Sequence, residues 1–515
     1  MLVKTYSSSV FGIHATTITI EVNLGIGINF YLVGLPDNSV RESQQRIKAA
    51  FKNNDLKFPG KEITVNMAPA DIRKEGSVFD LPIAIGILAV SEQVKPDHLG
   101  EYLMIGELSL DGSVQATKGM LPIALQAKQE GFKGIIVPKQ NAQEAAVVQG
   151  LAVYGVENIR EVIDFMNDTS KLTPVQVDIS VSFKEGEVLF DEDFRDVKGQ
   201  MNIKRAFEIA AAGSHNVILI GPPGAGKSML AKRLSTILPP MTVEEALETT
   251  KIHSVAGKMK NPQGLITHRP FRKPHHTISD IGLIGGGSYP QPGEISLAHN
   301  GVLFLDELPE YKRQVLEVMR QPLEDRVVNI SRAKFSIDYP AGFMLVAAMN
   351  PCPCGYFNHP EKACVCGPGI VQRYLNRISG PLLDRIDLHV EVTPVSFDEL
   401  STDIPSEGSK EIRLRVEKAR KIQKDRFQNR EGMHCNAQMS KAEFEANCQL
   451  DDEGTSLLKT AMNKLGLSAR AYDRIIKVSR TIADLDGSKR ILSKHLAEAI
   501  QYRSLDRGNW GTNQL

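Results

Sequence analysis

The chain has 515 residues, 42% hydrophobic and 24% charged, and its 61 Lys plus Arg are balanced by 61 Asp plus Glu. Such a length accommodates about three domains of ordinary size, and zero formal charge excludes a uniformly basic coat for nucleic acid while leaving local basic surfaces open. No run approaches the roughly 18 apolar residues of a membrane span, the opening Met1–Ser9 lacks the apolar core of a secretory signal, and six Cys in so long a chain make no disulfide scaffold. The expected compartment is the cytoplasm, with no membrane partner.

In chain order, Ile18, Ile20, Val22 and Leu24 alternate with polar residues and predict a half-buried strand, as does Glu62–Met67. Val40, Ile47 and Phe51 share one helical face, with Asp37 or Asn38 as the cap. Phe79–Val90 is apolar almost throughout and predicts a buried helix. Gly106–Gln115 predicts a hairpin turning at Asp111-Gly112. A helix at Leu121–Glu130 and a strand at Gly134–Pro138 follow, giving a mixed α+β region. Residues 166–192 are polar and predict a linker. A helix then leads to the apolar strand Val217–Ile220, and the chain after residue 396 is helical by pattern, with stretches at Glu411–Asn429, Thr455–Leu465, Ser468–Asp484 and Ser493–Tyr502.

The strand Asn216–Ile220 feeds Gly221-Pro222-Pro223-Gly224-Ala225-Gly226-Lys227-Ser228, and a helix starts at Met229. This is a full G-x-x-x-x-G-K-[ST] phosphate loop in its required strand–loop–helix setting. Glycines let successive backbone N–H groups face phosphates, and the helix N-terminus adds partial positive charge. Lys227 reaches the β- and γ-phosphates of ATP, and Ser228 ligates Mg²⁺. Gly301–Leu305 is an apolar strand ending in Asp306 and Glu307. Asp306 would hold Mg²⁺ through water, and Glu307 would polarise the attacking water. A third buried strand, Phe343–Met349, ends at Asn350, which could orient that water or simply end the strand before Pro351.

Pro292–Leu308, Phe271-Arg-Lys-Pro-His-His-Thr277 and Asn350-Pro-Cys-Pro-Cys-Gly355 together resemble the magnesium-chelatase-like branch of the AAA+ ATPases, and within it the YifB/ComM group, over nearly the whole chain. The resemblance implies an α/β fold: a P-loop AAA+ core with a parallel sheet, preceded by an α+β S5/Lon-like domain and followed by an α-helical lid. The expected boundaries are 1–165 for the Lon-like domain, 166–192 for the linker, 193–395 for the ATPase core, 396–505 for the lid and 506–515 for a loose tail. By the same resemblance Asn350 is sensor 1, Arg385 the arginine finger that reaches a neighbouring subunit's ATP, Arg470 the sensor 2 arginine, and Gln200 lies close to the adenine. The Lon serine falls at Ile83 and the Lon lysine at Leu121. Neither side chain can be a nucleophile or a base, so peptidase activity is not expected.

Cys352-Pro-Cys354 and Cys364-Val-Cys366 form two C-x-C pairs. Four thiolates could hold a structural Zn²⁺, with His359 able to replace one; reduced thiols without metal are the other reading. The family also implies a homo-hexamer acting on single-stranded or branched DNA in branch migration. Val327–Asp338 fits its pore hairpin, with Arg332 and Lys334 as DNA-contact candidates. Arg269, Arg272, Lys273, His275 and His276 add basic character nearby, and Arg413–Arg430 carries eight Lys/Arg that equally suit a solvated helix face. The alternative is a protein-remodelling or metal-chelatase-like motor.

Overall fold

A computed structural model describes residues 2–186, 191–259, 264–287, 289–332, 335–359, 361–367, 369–394, 406–428, 430, 432–503 and 505. These fall into two compact units, one of residues 1–187 with 242–267 and one of residues 188–241 with 268–515. The segment Thr242–Thr267, which the sequence boundaries place in the ATPase core, thus groups with the N-terminal unit.

The first unit is built on a seven-stranded mixed sheet. Its spatial order is Phe30–Val33, Glu62–Ala68, His14–Gly25, Leu2–Phe11, Tyr102–Met104, Gly134–Pro138 and Ala152–Val156. The predicted alternation holds: Ile18, Ile20 and Val22 are wholly buried. The helix Asn38–Asn53 starts as expected, Asp37 accepting from the Val40 N–H at 2.8 Å. In Asp80–Val90 every residue is buried, and each fully buried Ile or Leu there contributes about 1.5–3 kcal/mol. The hairpin turns with Gly112 at φ +87°, a left-handed value that suits glycine. The expected linker is not devoid of structure, since Ile179–Gly186 forms a helix.

Within the same unit, Val243–Val255 is a helix opened by a capping box between Thr242 and Glu245. The Ser254 carbonyl accepts from Gly119 N–H at 3.2 Å. The Ser254 hydroxyl donates to Glu144, whose Oε1 also accepts from Leu121 N–H at 2.9 Å. Ile83 and Leu121 are both wholly buried among apolar side chains.

The second unit carries a five-stranded sheet in the order Phe271–Arg272, Val302–Leu305, Met344–Met349, Val217–Ile220, Leu388–Glu391. All four pairings are parallel. Val217–Ile220, Val302–Leu305 and Met344–Met349 are buried at every position, as continuous apolar strands covered on both faces must be. Helices Met201–Gly213, Lys227–Ile237, Ser409–Phe427, Asp452–Leu465, Ala469–Leu485 and Ser493–Gln501 belong to this unit. Ile412, Val416, Leu458, Ile475, Ile476 and Leu496 from the last four share one hydrophobic core with Val217, Phe304 and Val346 of the sheet.

Candidate functional site

In an open parallel sheet, ligands bind beyond the carboxyl ends of the strands. Here Ile220 pairs with Met349 and Leu305 with Ala347, so three central strands end together. Their following residues line a cavity of about 400 Å³, formed by Pro223–Met229, Asp306, Glu307, Met349 and Asn350. Gly221 has no room for a side chain, because a Cβ there would lie 2.3 Å from the Val392 carbonyl oxygen. Gly224 and Gly226 take φ of +82° and +81°, and Gly226 caps the helix Lys227–Ile237, so the helix N-terminus opens into the cavity.

The polar groups converge on one another. Lys227 Nζ donates to the carbonyls of Gly221 (2.7 Å) and Pro222 (2.9 Å) and to Asn350 Oδ1 (3.0 Å). Burial holds the Lys227 ammonium below its ordinary pKa, against the opposing pull of Asp306 and Glu307. Ser228 Oγ donates to Asp306 Oδ2 at 2.6 Å. Burial pushes the Asp306 carboxyl up, but the hydrogen bonds from Ser228 and Lys273 outweigh it and leave its pKa lowered. Hydroxyl and carboxylate oxygens at this spacing form a hard donor set suited to Mg²⁺, and the N–H-lined loop suits a triphosphate. Glu307 is exposed and lines the cavity, with a left-handed backbone (φ 54°, ψ 48°) that is uncommon for a non-glycine residue.

The sequence places Lys273, His275 and His276 in a basic segment; the structure gives two of them carboxylate partners at the cavity and leaves His275 exposed, with its Nδ1 2.9 Å from Thr277 Oγ1. Lys273 Nζ donates to Asp306 Oδ2 at 2.9 Å, and His276 Nδ1 lies 3.5 Å from Glu307 Oε2. Arg272 forms a two-pronged pair with Glu294 at 2.6 and 2.7 Å. Arg269 donates to the carbonyls of Pro239 and Asn300, each at 2.7 Å. The reason is topological: Phe271–Arg272 pairs in parallel with Val302–Leu303, so the residues after both strands emerge at the same sheet edge. A two-residue strand leaves no periodicity to read, but Tyr311, whose hydroxyl donates to the Pro274 carbonyl at 2.8 Å, pins the segment in place.

Other expected residues lie as follows. Gln200 Nε2 donates to the Thr393 carbonyl at 2.7 Å. Arg385 is not free on a surface; its side chain is 9% exposed, it donates to the Pro381 carbonyl at 2.7 Å, and it pairs with Glu324. Arg470 is exposed and lies 3.7 Å from Asp384. Strands Val327–Arg332 and Phe335–Pro340 form the expected antiparallel hairpin. Lys334, at its tip, lies outside the described residues, as does the side chain of Arg332. The four Sγ atoms of Cys352, Cys354, Cys364 and Cys366 all lie within 4.8 Å of one another, an arrangement that could hold a metal ion. His359 is not in that cluster; its Nδ1 accepts from the backbone N–H groups of Glu361 and Lys362 at 3.0 and 3.1 Å. No helix among the described residues is long and apolar enough to cross a membrane.

Comparison with known proteins agrees with this architecture. The family "Magnesium chelatase, subunit ChlI" matches residues 193–400, its companion "Subunit ChlI of Mg-chelatase" residues 20–141, and the ChlI C-terminal family residues 406–503. "Competence protein ComM" of Haemophilus influenzae is 46% identical over 507 residues, 98% of this chain and 97% of that one. "Uncharacterized protein YifB" of Escherichia coli is 42% identical over 504 residues, with the same coverage of each chain. "Lon protease 2" of Bacillus subtilis is 28% identical over 204 residues, 34% of this chain and 36% of the protease. The chain belongs to the ComM/YifB family of magnesium-chelatase-like AAA+ ATPases, with a Lon-like domain at its N-terminus.

Proposed function

We propose that the protein is a ring-forming ATPase that couples ATP hydrolysis to movement along DNA, in branch migration during recombination or transformation. The observation that carries the ATPase half is the convergence of Lys227, Ser228, Asp306, Glu307 and Asn350 on one cavity. In this reading the Gly221–Met229 loop and Lys227 bind the phosphates of ATP, with Gln200 near the adenine. Ser228 and Asp306 hold Mg²⁺, which neutralises phosphate charge when bound. Glu307 takes the proton of the attacking water, and Asn350 orients that water. Arg385 and Arg470 complete the site between and within subunits of a hexamer. The N-terminal domain is Lon-like without peptidase chemistry, since Ile83 and Leu121 offer neither nucleophile nor base. A structural Zn²⁺ belongs to the same reading, on Cys352, Cys354, Cys364 and Cys366.

The DNA half rests on the likeness to a relative named as a competence protein, across 98% of this chain. It draws nothing from Lys273 or His276, whose partners Asp306 and Glu307 line the ATP cavity, nor from Arg272 and Arg269, which engage Glu294 and the Pro239 and Asn300 carbonyls; Arg332 and Lys334 of the hairpin remain its local candidates. The ChlI family matches favour a second reading, a chelatase-like or protein-remodelling motor.

Steady-state ATP hydrolysis separates the two. It is measured with no polymer, single-stranded DNA, a four-way junction or an unfolded protein, each at two salt concentrations. Stimulation by DNA that fades with salt is the expected result. Stimulation by unfolded protein with DNA inert would replace the DNA reading by the remodelling one.

A further inference from the structure

The strand Met344–Met349 is followed by a long connection, residues 350–369, in which no described residue is helical or extended. Structureless connections beyond about 12–15 residues are uncommon in compact units unless they have a function or are tied down. Among the described residues the backbone bonds within this stretch are short turns: Gly355 N–H to the Cys352 carbonyl at 3.0 Å, His359 N–H to the Tyr356 carbonyl at 3.1 Å, and Ile370 N–H to the Gly367 carbonyl at 3.1 Å. The closest approach between its early and late parts is through sulfur. Cys352 and Cys354 Sγ are 3.3 Å apart, Cys354 and Cys364 3.5 Å, and Cys352 and Cys364 3.7 Å.

These separations decide the chemistry. A disulfide would need about 2.05 Å. Four thiolates around one Zn²⁺, each about 2.3 Å from the ion, stand at the corners of a tetrahedron whose edges are about 3.8 Å. The sulfurs already lie close to that figure, and four soft donors select against Mg²⁺.

The first C-x-C pair also touches the phosphate loop at two points. Asn350, two residues before Cys352, accepts from Lys227 Nζ at 3.0 Å. Gly355, the residue after Cys354, is buried at φ +85°, and a Cβ on it would lie 2.4 Å from Pro223 Cδ and 3.0 Å from Pro223 Cγ. The turn between these two points contains Cys352, which is fully buried.

We infer that the four-cysteine centre is a structural zinc site that braces the phosphate loop, fixing the Asn350–Gly355 turn against Pro223 and Lys227. This rests on the zinc reading and adds a consequence for nucleotide binding. Zinc enters as the thiols release their protons, with no redox step. The ion holds Cys352 and Cys354 to Cys364 and Cys366, so the turn cannot drift from the loop. Without it the turn is held by its own short turns and the single Lys227–Asn350 hydrogen bond, and Pro223 loses a fixed surface to pack on.

The test uses the full-length protein. Metal content is measured by mass spectrometry, and affinity for a fluorescent ATP analogue is measured as purified, after stripping with a chelator, and after ZnCl₂ is restored. One zinc per chain is expected, with stripping weakening the nucleotide by about tenfold and ZnCl₂ restoring it; tenfold corresponds to about 1.4 kcal/mol. Gly355→Ala should keep its zinc yet bind the analogue about tenfold more weakly, because the added methyl meets Pro223. Protein free of zinc, or holding iron in its place, overturns the zinc reading. Protein that holds zinc but binds the analogue equally well when stripped, and equally well as Gly355→Ala, overturns the brace and leaves the metal site standing.

Discussion

Replacing Lys273 with Met should make ATP hydrolysis need less Mg²⁺. Lys273 Nζ and Ser228 Oγ donate to the same oxygen, Asp306 Oδ2, at 2.9 and 2.6 Å. Asp306 is the carboxylate assigned to the Mg²⁺ shell, so the ammonium and the ion compete for one negative charge. The two side chains are 42% and 26% exposed, so water screens the pair. A pair of that kind is worth about 1 kcal/mol, and 1.4 kcal/mol is a factor of about ten. Lys273→Met should therefore lower the free Mg²⁺ concentration for half-maximal hydrolysis by about fivefold, with the affinity for DNA and its salt dependence unchanged. The assay is a Mg²⁺ titration at saturating ATP, beside a DNA-binding salt series. An unchanged or higher Mg²⁺ requirement would refute the competition. A salt slope smaller by the share of about one phosphate would return Lys273 to the DNA surface.

Arg385→Ala should cut turnover by about 10³-fold or more with ATP affinity retained, as removal of a finger supplied between subunits does; normal hydrolysis by the variant would dismiss that role. Arg474→Ala strips a partner 3.0 Å from the buried Asp387 and should cost about 3 kcal/mol in denaturant unfolding. Burial pushes the Asp387 carboxyl up, yet Arg474 and His215 outweigh it and hold its pKa far below the usual value, so its stabilisation is present above about pH 4 and is lost as pH falls through the native value; an acid transition identical in wild type and Arg474→Ala would contradict the pairing. Because burial lowers the Lys227 pKa, ATP affinity should fall as pH rises toward that lowered value, earlier than for an exposed lysine; a flat affinity up to the ordinary lysine range would remove Lys227 from phosphate binding.

Much of the chain could be read locally because its signals are local. The helix Asn38–Asn53 follows from an Asp37 cap and three apolar residues on one face, and the phosphate loop from eight contiguous residues that run from the end of a strand into the first turn of a helix. What escaped depends on distant pairing. Helix Val243–Val255 carries no sequence mark that assigns it to the N-terminal unit; Glu144, more than a hundred residues earlier, receives Ser254 there. Arg385 sits in a motif that says which role to expect, but only packing shows that Glu324 and the Pro381 carbonyl engage it within its own chain. Fidelity to a motif and freedom to act are separate properties, because a cation is drawn to whichever carboxylate or carbonyl the fold brings near.

The same distinction governs the helix Ser409–Phe427 and the residues after it. Its arginines are tied into the fold: Arg413 to the Thr236 carbonyl at 2.9 Å, Arg426 to Asp484 at 2.6 Å, and Arg415 to Glu208 and Glu407. Arg430, just beyond it, pairs with Glu443 at 2.8 Å. Lys418, Lys421 and Lys424 are exposed. Guanidinium forks suit fixed partners, whereas ammonium groups on flexible stems suit solvent. The description of this stretch as a solvated face thus applies to its lysines, and the arginines are structural. If DNA is gripped at the hairpin, changing Lys418, Lys421 and Lys424 together to Ala should leave the salt slope of DNA binding unaltered, whereas Lys334→Ala should lower it by about 0.7–0.9 for each phosphate that the ring no longer neutralises. A slope that falls with the lysine triplet and not with Lys334 would move the DNA path from the hairpin to this helix.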